Sequence, residues 1–230
     1  MKTHLEEEAR CLRFAYVEPF YPYAFLRDGE TSGIGPDLLR LALGPLGFEV
    51  EWTGMTLEEV QKAVQAGRAD AIGVFARIPE RLSGFDFSDP LCTTQAGLFC
   101  RRVDKPRFRL EDHAGCTVCT PARGPLANFI QSQYPDVRVK TVADYGAALQ
   151  AVLSGGASAA ALNLLVGRAL ARERFPDSFH LPDRTIFEVD LCVAVCKGKH
   201  AHVIAAVNEG LQRAQKDGAR AAVMKRWQAQ

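Results

Sequence analysis

The sequence lacks any long hydrophobic run: no apolar stretch in its 230 residues approaches the roughly 18 needed to span a bilayer. It also lacks the basic-then-apolar opening of an export signal, because Met1 to Arg10 is polar and acidic. The expectation is either a cytoplasmic protein or a mature or excised part of a longer precursor. A charge excess is missing as well. With 28 Lys+Arg against 27 Asp+Glu the formal net charge is +1, which gives no long-range field for capturing a polyanion. The basic residues are scattered except for Arg101, Arg102, Lys105, Arg107 and Arg109, so nucleic acid is not an expected partner. Seven cysteines, an odd number, cannot form a complete disulfide framework, and at least one thiol stays unpaired within the chain. There is no nucleophile elbow, no phosphate-cradling Gly-rich loop, no metalloprotease helix and no internal repeat of solenoid period.

What remains is an ordinary globular composition, 47% hydrophobic, 24% charged and 9% aromatic, which rules out a disordered or fibrous chain. The length fits one large domain or two lobes of roughly 100 residues. Strand and helix signals alternate at short intervals, the pattern of an α/β fold with a largely parallel sheet. Leu12 to Val17 reads as a strand, and Pro36 to Leu46 as an amphipathic helix that Gly47 closes. Phe48, Val50 and Trp52 alternate with Glu49 and Glu51, as in a strand with one buried face. Thr56 and Glu59 have capping-box spacing ahead of the stripe Leu57, Val60 and Val64, and Asp70 to Phe75 supplies a third strand. Pro90 to Arg101 reads as a strand leading out of the first lobe. A second alternation follows: strand Thr117 to Thr120, helix Pro125 to Gln133, strand Val137 to Val139, helix Tyr145 to Leu153, strand Ala157 to Leu162. The apolar run Val189 to Cys196 and a closing helical stripe from Val203 to Ala214, with a last turn around Met224 and Trp227, complete the chain.

Several strings are more specific. Gly67 to Leu91 (GRADAIGVFARIPERLSGFDFSDPL), the aromatic-proline segment Phe20 to Phe25, the helix start Gly33 to Leu38 and the ending Met224 to Trp227 together resemble the bacterial extracellular solute-binding proteins of family 3, the polar amino-acid class. The resemblance runs from about Leu12 to Trp227. It implies an α/β, two-lobed periplasmic-binding-protein type II fold (Venus flytrap) with two interlobe crossover strands, near residues 94 to 100 and 188 to 196. Lobe I would then be discontinuous, 1–95 plus 195–230, with lobe II at 96–194.

The same resemblance nominates ligand-binding residues. Arg81, in Pro-Glu-Arg, would hold a ligand carboxylate by two charge-assisted hydrogen bonds; the structural alternative is a surface arginine bridging to Asp86 or Glu80. Tyr21 would stack on the ligand beside Phe20 and Tyr23, Phe75 would line the floor, and Glu18 would contact a distal group. Core packing or solvation are their alternatives. Ala76 and Ile78 stand where the family carries hydroxyl residues, so two donors are missing. In lobe II, Gly124 before Pro125 forms a helix start with outward N–H groups, and Arg123 adds positive charge beside it. Asn163 stands where the family carries the carboxylate that holds a ligand ammonium; its alternative is a loop cap. An amide cannot supply that charge, so the expected ligand is a small carboxylate or another anion rather than a zwitterion.

These residues point first to a binding module: an extracytoplasmic sensor domain for a small organic solute, amino-acid-like or a carboxylate, serving as input domain of a transmembrane histidine kinase. A free-standing binding protein of an ABC amino-acid importer is the alternative, and a dehydratase-type enzyme with Glu18 or Glu188 as the acid is a second. Expected partners are the ligand and a membrane-embedded kinase or permease, with dimerisation open in a full-length receptor. A cytoplasmic effector domain of a regulator would suit the acidic start. No cofactor and no metal are expected: Cys116 and Cys119 sit three apart in a strand, where side chains face opposite ways, although Cys192 and Cys196 share a face. A disulfide between the crossover strands, for instance Cys100 with Cys192, is left open.

Overall fold

The structure, a computed structural model, describes residues 10–103, 108–112, 114–122 and 124–228. It opens with β1 (Arg10–Val17), the hairpin β2 (Phe25–Arg27) and β3 (Glu30–Ser32), α1 (Ile34–Leu43), β4 (Phe48–Met55), α2 (Leu57–Gln65), β5 (Ala71–Ala76) and β6 (Phe85–Phe87). Strand β7 (Cys92–Arg101) leads to β8 (Thr117–Pro121), α3 (Leu126–Gln133), β9 (Arg138–Val142), α4 (Tyr145–Leu153), β10 (Ala159–Asn163), α5 (Leu164–Arg174) and β11 (Phe179–His180). Strand β12 (Phe187–Cys196), α6 (Ala201–Lys216) and α7 (Ala219–Gln228) close the chain. Two compact units result. Unit 1 comprises the residues up to Thr93 together with those from Asp190 onward, and unit 2 is Thr94–Val189. The chain therefore passes between them twice, once within β7 and once within β12.

In unit 1 the strand order is β4-β1-β5-β12, with β6 paired to β12. Strands β4, β1 and β5 are parallel, whereas β12 runs antiparallel to both β5 and β6, a departure from the parallel sheet that strand–helix alternation suggests. Helix α2 starts as its sequence predicts: Thr56 Oγ1 accepts from the Glu59 amide, and the Glu59 carboxylate accepts in return from the Thr56 amide at 2.9 Å. Its Val60 and Val64 are buried with Ile72, Phe75 and Ala194. Helix α1 ends earlier than its periodicity suggests. Gly44 and Pro45 convert the last turn to a 3-10 turn over Gly44–Leu46, because proline cannot donate the α-helical hydrogen bond. Helices α1 and α6 approach so closely that a Cβ on Gly210 would lie 2.2 Å from the Ala42 carbonyl oxygen, which reserves that position for glycine.

In unit 2 the order is β7-β10-β8-β9, with β11 paired to β7; β10 is antiparallel to β7 and parallel to β8. Two apolar clusters form. Phe99, Leu149, Val152 and Leu162 pack with α4 and α5, while Leu98, Leu110, Val118 and Ile130 pack with α3. Helix α5 and the β2-β3 hairpin escape the sequence reading. The first begins directly at the end of a strand with no turn residues between, and the second has strands of only three residues.

Candidate functional site

Arg81 ends a 3-10 turn, Pro79–Arg81, that follows β5 after two residues. Pro79 presets the turn, and the Arg81 amide donates back to the Ile78 carbonyl at 3.0 Å. This folds the side chain over the end of β5. Its Nη1 donates to the Ala76 carbonyl at 2.8 Å, and its Cζ lies 3.8 Å from the centre of the Phe75 ring. Phe75 is itself buried, 2% exposed, with Phe87 stacked on it at 6.3 Å and Phe85 edge-on at 5.5 Å. The guanidinium thus sits on a rigid aromatic platform.

Neither Asp86 nor Glu80, the carboxylates nearest Arg81 in sequence, forms an ion pair with it. Asp86 faces Lys197 Nζ at 2.7 Å and accepts from the Gly198 amide at 2.7 Å, so the surface bridge to Asp86 that the sequence allowed does not form. Glu80 is exposed and makes no hydrogen bond with Arg81. Among the described residues no carboxylate lies within ion-pair distance of this guanidinium, whereas Arg13, Arg77 and Arg102 face Asp70, Asp190 and Asp177 at 2.7, 2.7 and 2.8 Å. Burial holds the Arg81 pKa down to about 10, with Glu80 pulling the other way. At neutral pH the group stays charged, partly desolvated and without a counter-ion among the described residues, an arrangement that favours capture of an anion.

The other candidates of unit 1 divide. Glu18 is half-buried, receives the Tyr16 hydroxyl at 3.3 Å, and rests where a Cβ on residue 54 would lie 1.9 Å from its Oε2; Gly54 is what admits it. No hydrogen bond or ion pair joins it to Arg81 among the described residues. Tyr21 is 38% exposed and packs on Phe25 at 4.9 Å, which leaves ring surface for a ligand, while Tyr23 turns into the core at 2% exposure. Phe75 contributes as the support of Arg81, and Ala76 contributes its carbonyl oxygen rather than a side chain. That backbone role carries no side-chain signal in the sequence.

In unit 2, Asn163 ends β10 and caps α5: its Oδ1 accepts from the amides of Leu165 and Val166 at 3.0 and 3.3 Å, and its Nδ2 donates to Thr94 Oγ1. The cap that the sequence left open is therefore present, with the side chain 6% exposed. Gly124 is exposed with φ at +106°, one residue before Pro125 at the N-terminus of α3. Arg123 lies outside the described residues. Glu188 accepts from Gln95 Nε2. Cys119 is buried against the carbonyls of Ala148 and Ala159, and burial pushes the thiols of Cys92 and Cys192 up to about 12. Among the described residues no group of three or more His, Cys, Asp or Glu is placed to hold a metal ion, and no helix is long and apolar enough to cross a membrane.

Two α/β units linked through two long strands define the periplasmic-binding-protein type II, or Venus flytrap, fold. The chain belongs to the bacterial extracellular solute-binding proteins, family 3, which match it over residues 12–230. Solved structures share the fold. The VFT2 domain of Bordetella pertussis BvgS, as a double mutant, superposes with a TM-score of 0.81 at 20% identity, over 94% of this chain and 93% of that one. A histidine kinase sensor domain with similarity to periplasmic binding proteins gives 0.82 at 24% identity, over 96% of each chain. A mutant of ArgBP from T. maritima gives 0.78 at 22% identity, again over 96% of each chain. No curated protein matches this sequence closely enough to serve as a relative.

Proposed function

We propose that this protein is an extracytoplasmic sensor domain that holds a small organic carboxylate on Arg81 and reports its presence to a membrane-embedded histidine kinase. The observation that carries the reading is the charged, partly buried Arg81 guanidinium, supported on Phe75 and lacking a carboxylate partner among the described residues. A planar guanidinium held by its Ala76 contact keeps its remaining N–H groups for a two-pronged hydrogen bond to a carboxylate. Tyr21 offers an exposed ring to an apolar part of the ligand, and Glu18, on the same unit, is a further contact. Asn163 is neutral and its oxygen already accepts two backbone amides, so it offers a ligand ammonium little. This supports a carboxylate without an α-amino group over a zwitterionic amino acid.

The sensor role draws support from the histidine kinase sensor domain among the structural relatives. A transport role draws on the ancestral arginine-binding proteins among the structural relatives. An enzyme has the thinnest support: one relative is an ancestral amino-acid-binding protein described as a precursor of cyclohexadienyl dehydratase.

The test is a thermal-shift screen against dicarboxylates, aromatic acids and amino acids, with product analysis of each mixture. A true ligand at 100 times its dissociation constant should stabilise the protein by about 2.7 kcal/mol. Arg81→Ala should abolish that shift, and an unchanged shift would remove Arg81 from the site. Turnover of the stabilising acid would convert the reading to an enzyme. For the sensor role, the full gene product should contain a kinase whose autophosphorylation changes with the same ligand; absence of any such module would overturn it.

A further inference from the structure

Unit 2 contains a cavity of about 290 Å³ that shares no lining residue with Arg81, Glu18, Tyr21, Gly124 or Asn163. Leu98 of β7 and Leu110 are buried at its floor, and Ile186 closes one side; all three belong to the apolar cluster that packs with α3. The volume is roughly ten times the 30 Å³ that a water molecule occupies, and it lies at the lower edge of the range of ligand pockets. This small apolar floor can accept a hydrocarbon body within a lining that is otherwise mostly polar, and a charge placed on the floor itself would be desolvated without a partner.

The rim is polar. Glu111 accepts the Tyr134 hydroxyl at 3.4 Å and is partly satisfied by it. Arg184 lies on the segment between β11 and β12 and makes no hydrogen bond or ion pair with any described residue. Its fork of donors matches a carboxylate in two-pronged geometry, a fit that a single ammonium group facing Asp183 would not match. Leu98 lies on β7, and the segment carrying Arg184 and Ile186 runs directly into β12, so an occupant would touch β7 and the residues just ahead of β12.

We propose that this cavity is a second binding site, separate from Arg81, for a small aromatic or branched aliphatic carboxylate. Its apolar body rests on Leu98, Leu110 and Ile186, and its carboxylate meets Arg184. Benzoate, isovalerate and, as a cation of similar shape, benzylammonium can be titrated into the protein, followed by calorimetry and by amide shifts in heteronuclear NMR.

The expected result is saturable binding of both carboxylates with shift changes at Leu98, Leu110 and Ile186. That binding should persist in Arg81→Ala and weaken about tenfold or more in Arg184→Glu, the loss expected for one charge-assisted hydrogen bond. Arg184→Gln, which keeps a polar side chain, should show a similar loss and covers the case in which charge reversal disturbs folding. The proposal is overturned by any of three results: no shift changes at those three residues, loss of binding in Arg81→Ala, or benzylammonium binding as tightly as benzoate. Failure here would leave the Arg81 reading untouched, since each test reports on its own arginine.

Discussion

The indole Nε1 of Trp227 donates a hydrogen bond to Asp37 Oδ2 at 2.8 Å, joining residues 190 apart in sequence. Arg226 reaches the same oxygen, and Arg40 faces Asp37 Oδ1 at 3.3 Å. Two strings that carried the family resemblance, the Asp-Leu of the first helix and the basic-Trp ending, thus meet each other in unit 1. Their pairing fastens α7 to α1. Trp227→Phe keeps most of the buried ring and removes only the donor, so it should cost about 1 kcal/mol; Trp227→Ala should cost about 3 to 5 kcal/mol through the added cavity. Urea unfolding checks both, with the midpoint falling and the slope unchanged for the Phe variant.

Arg81→Met separates ligand binding from folding. The substitution gives up a charge-assisted hydrogen bond to Ala76, worth about 1.5 to 3 kcal/mol, and the contact with the Phe75 face, about 0.5 to 2 kcal/mol. It also removes a partly desolvated cation that has no counter-ion among the described residues, which offsets much of that loss. Stability of the ligand-free protein should therefore change by less than about 1 kcal/mol, while carboxylate binding disappears. A loss of 3 kcal/mol or more in the ligand-free melt would show that the guanidinium serves the fold instead.

Acid sensitivity should trace partly to Asp70. Its carboxyl is held below the ordinary value of 3.8, chiefly by the side-chain hydrogen bond from Arg13 at 2.7 Å. The folded state therefore binds this proton less readily than the unfolded chain, and the stabilisation is complete above about pH 5 and lost as pH falls through the depressed folded value. In Asp70→Asn the stability gap to the parent should stay constant between about pH 5 and 7 and shrink below about pH 4. A gap that widened in acid would contradict this sign.

Gly210→Ala sets two effects against each other. Alanine gains about 1 kcal/mol of helix propensity inside α6, but its Cβ would sit 2.2 Å from a backbone oxygen of α1 that has no side-chain freedom with which to yield. The steric term should win, with a lowered melting temperature and a changed α1–α6 contact. An unchanged or raised melting temperature would show that the two helices can separate.

Much of the fold was legible in local chemistry. The Thr56–Glu59 capping box, the Val60–Val64 stripe and the alternation along β4 depend on residues within a few positions of one another, and each formed at or near the place its spacing indicated. Tertiary context decided the rest. The antiparallel course of β12 could not be read from periodicity, because a strand's direction depends on its partner; the shortened α1, by contrast, was local, set by the backbone donor that Pro45 lacks.

For the candidate site, the sequence by itself determined which residue types were on offer: an arginine in Pro-Glu-Arg, aromatic rings upstream of it, and an asparagine where a charge would be needed to hold an ammonium. Only the tertiary structure decided that Asp86 turns to Lys197, that Phe75 becomes a platform, and that the Ala76 carbonyl takes one guanidinium nitrogen. Spacing along the chain sets what lies within reach of Arg81, but which carboxylate a cation meets depends on the competing partners that folding brings beside each of them.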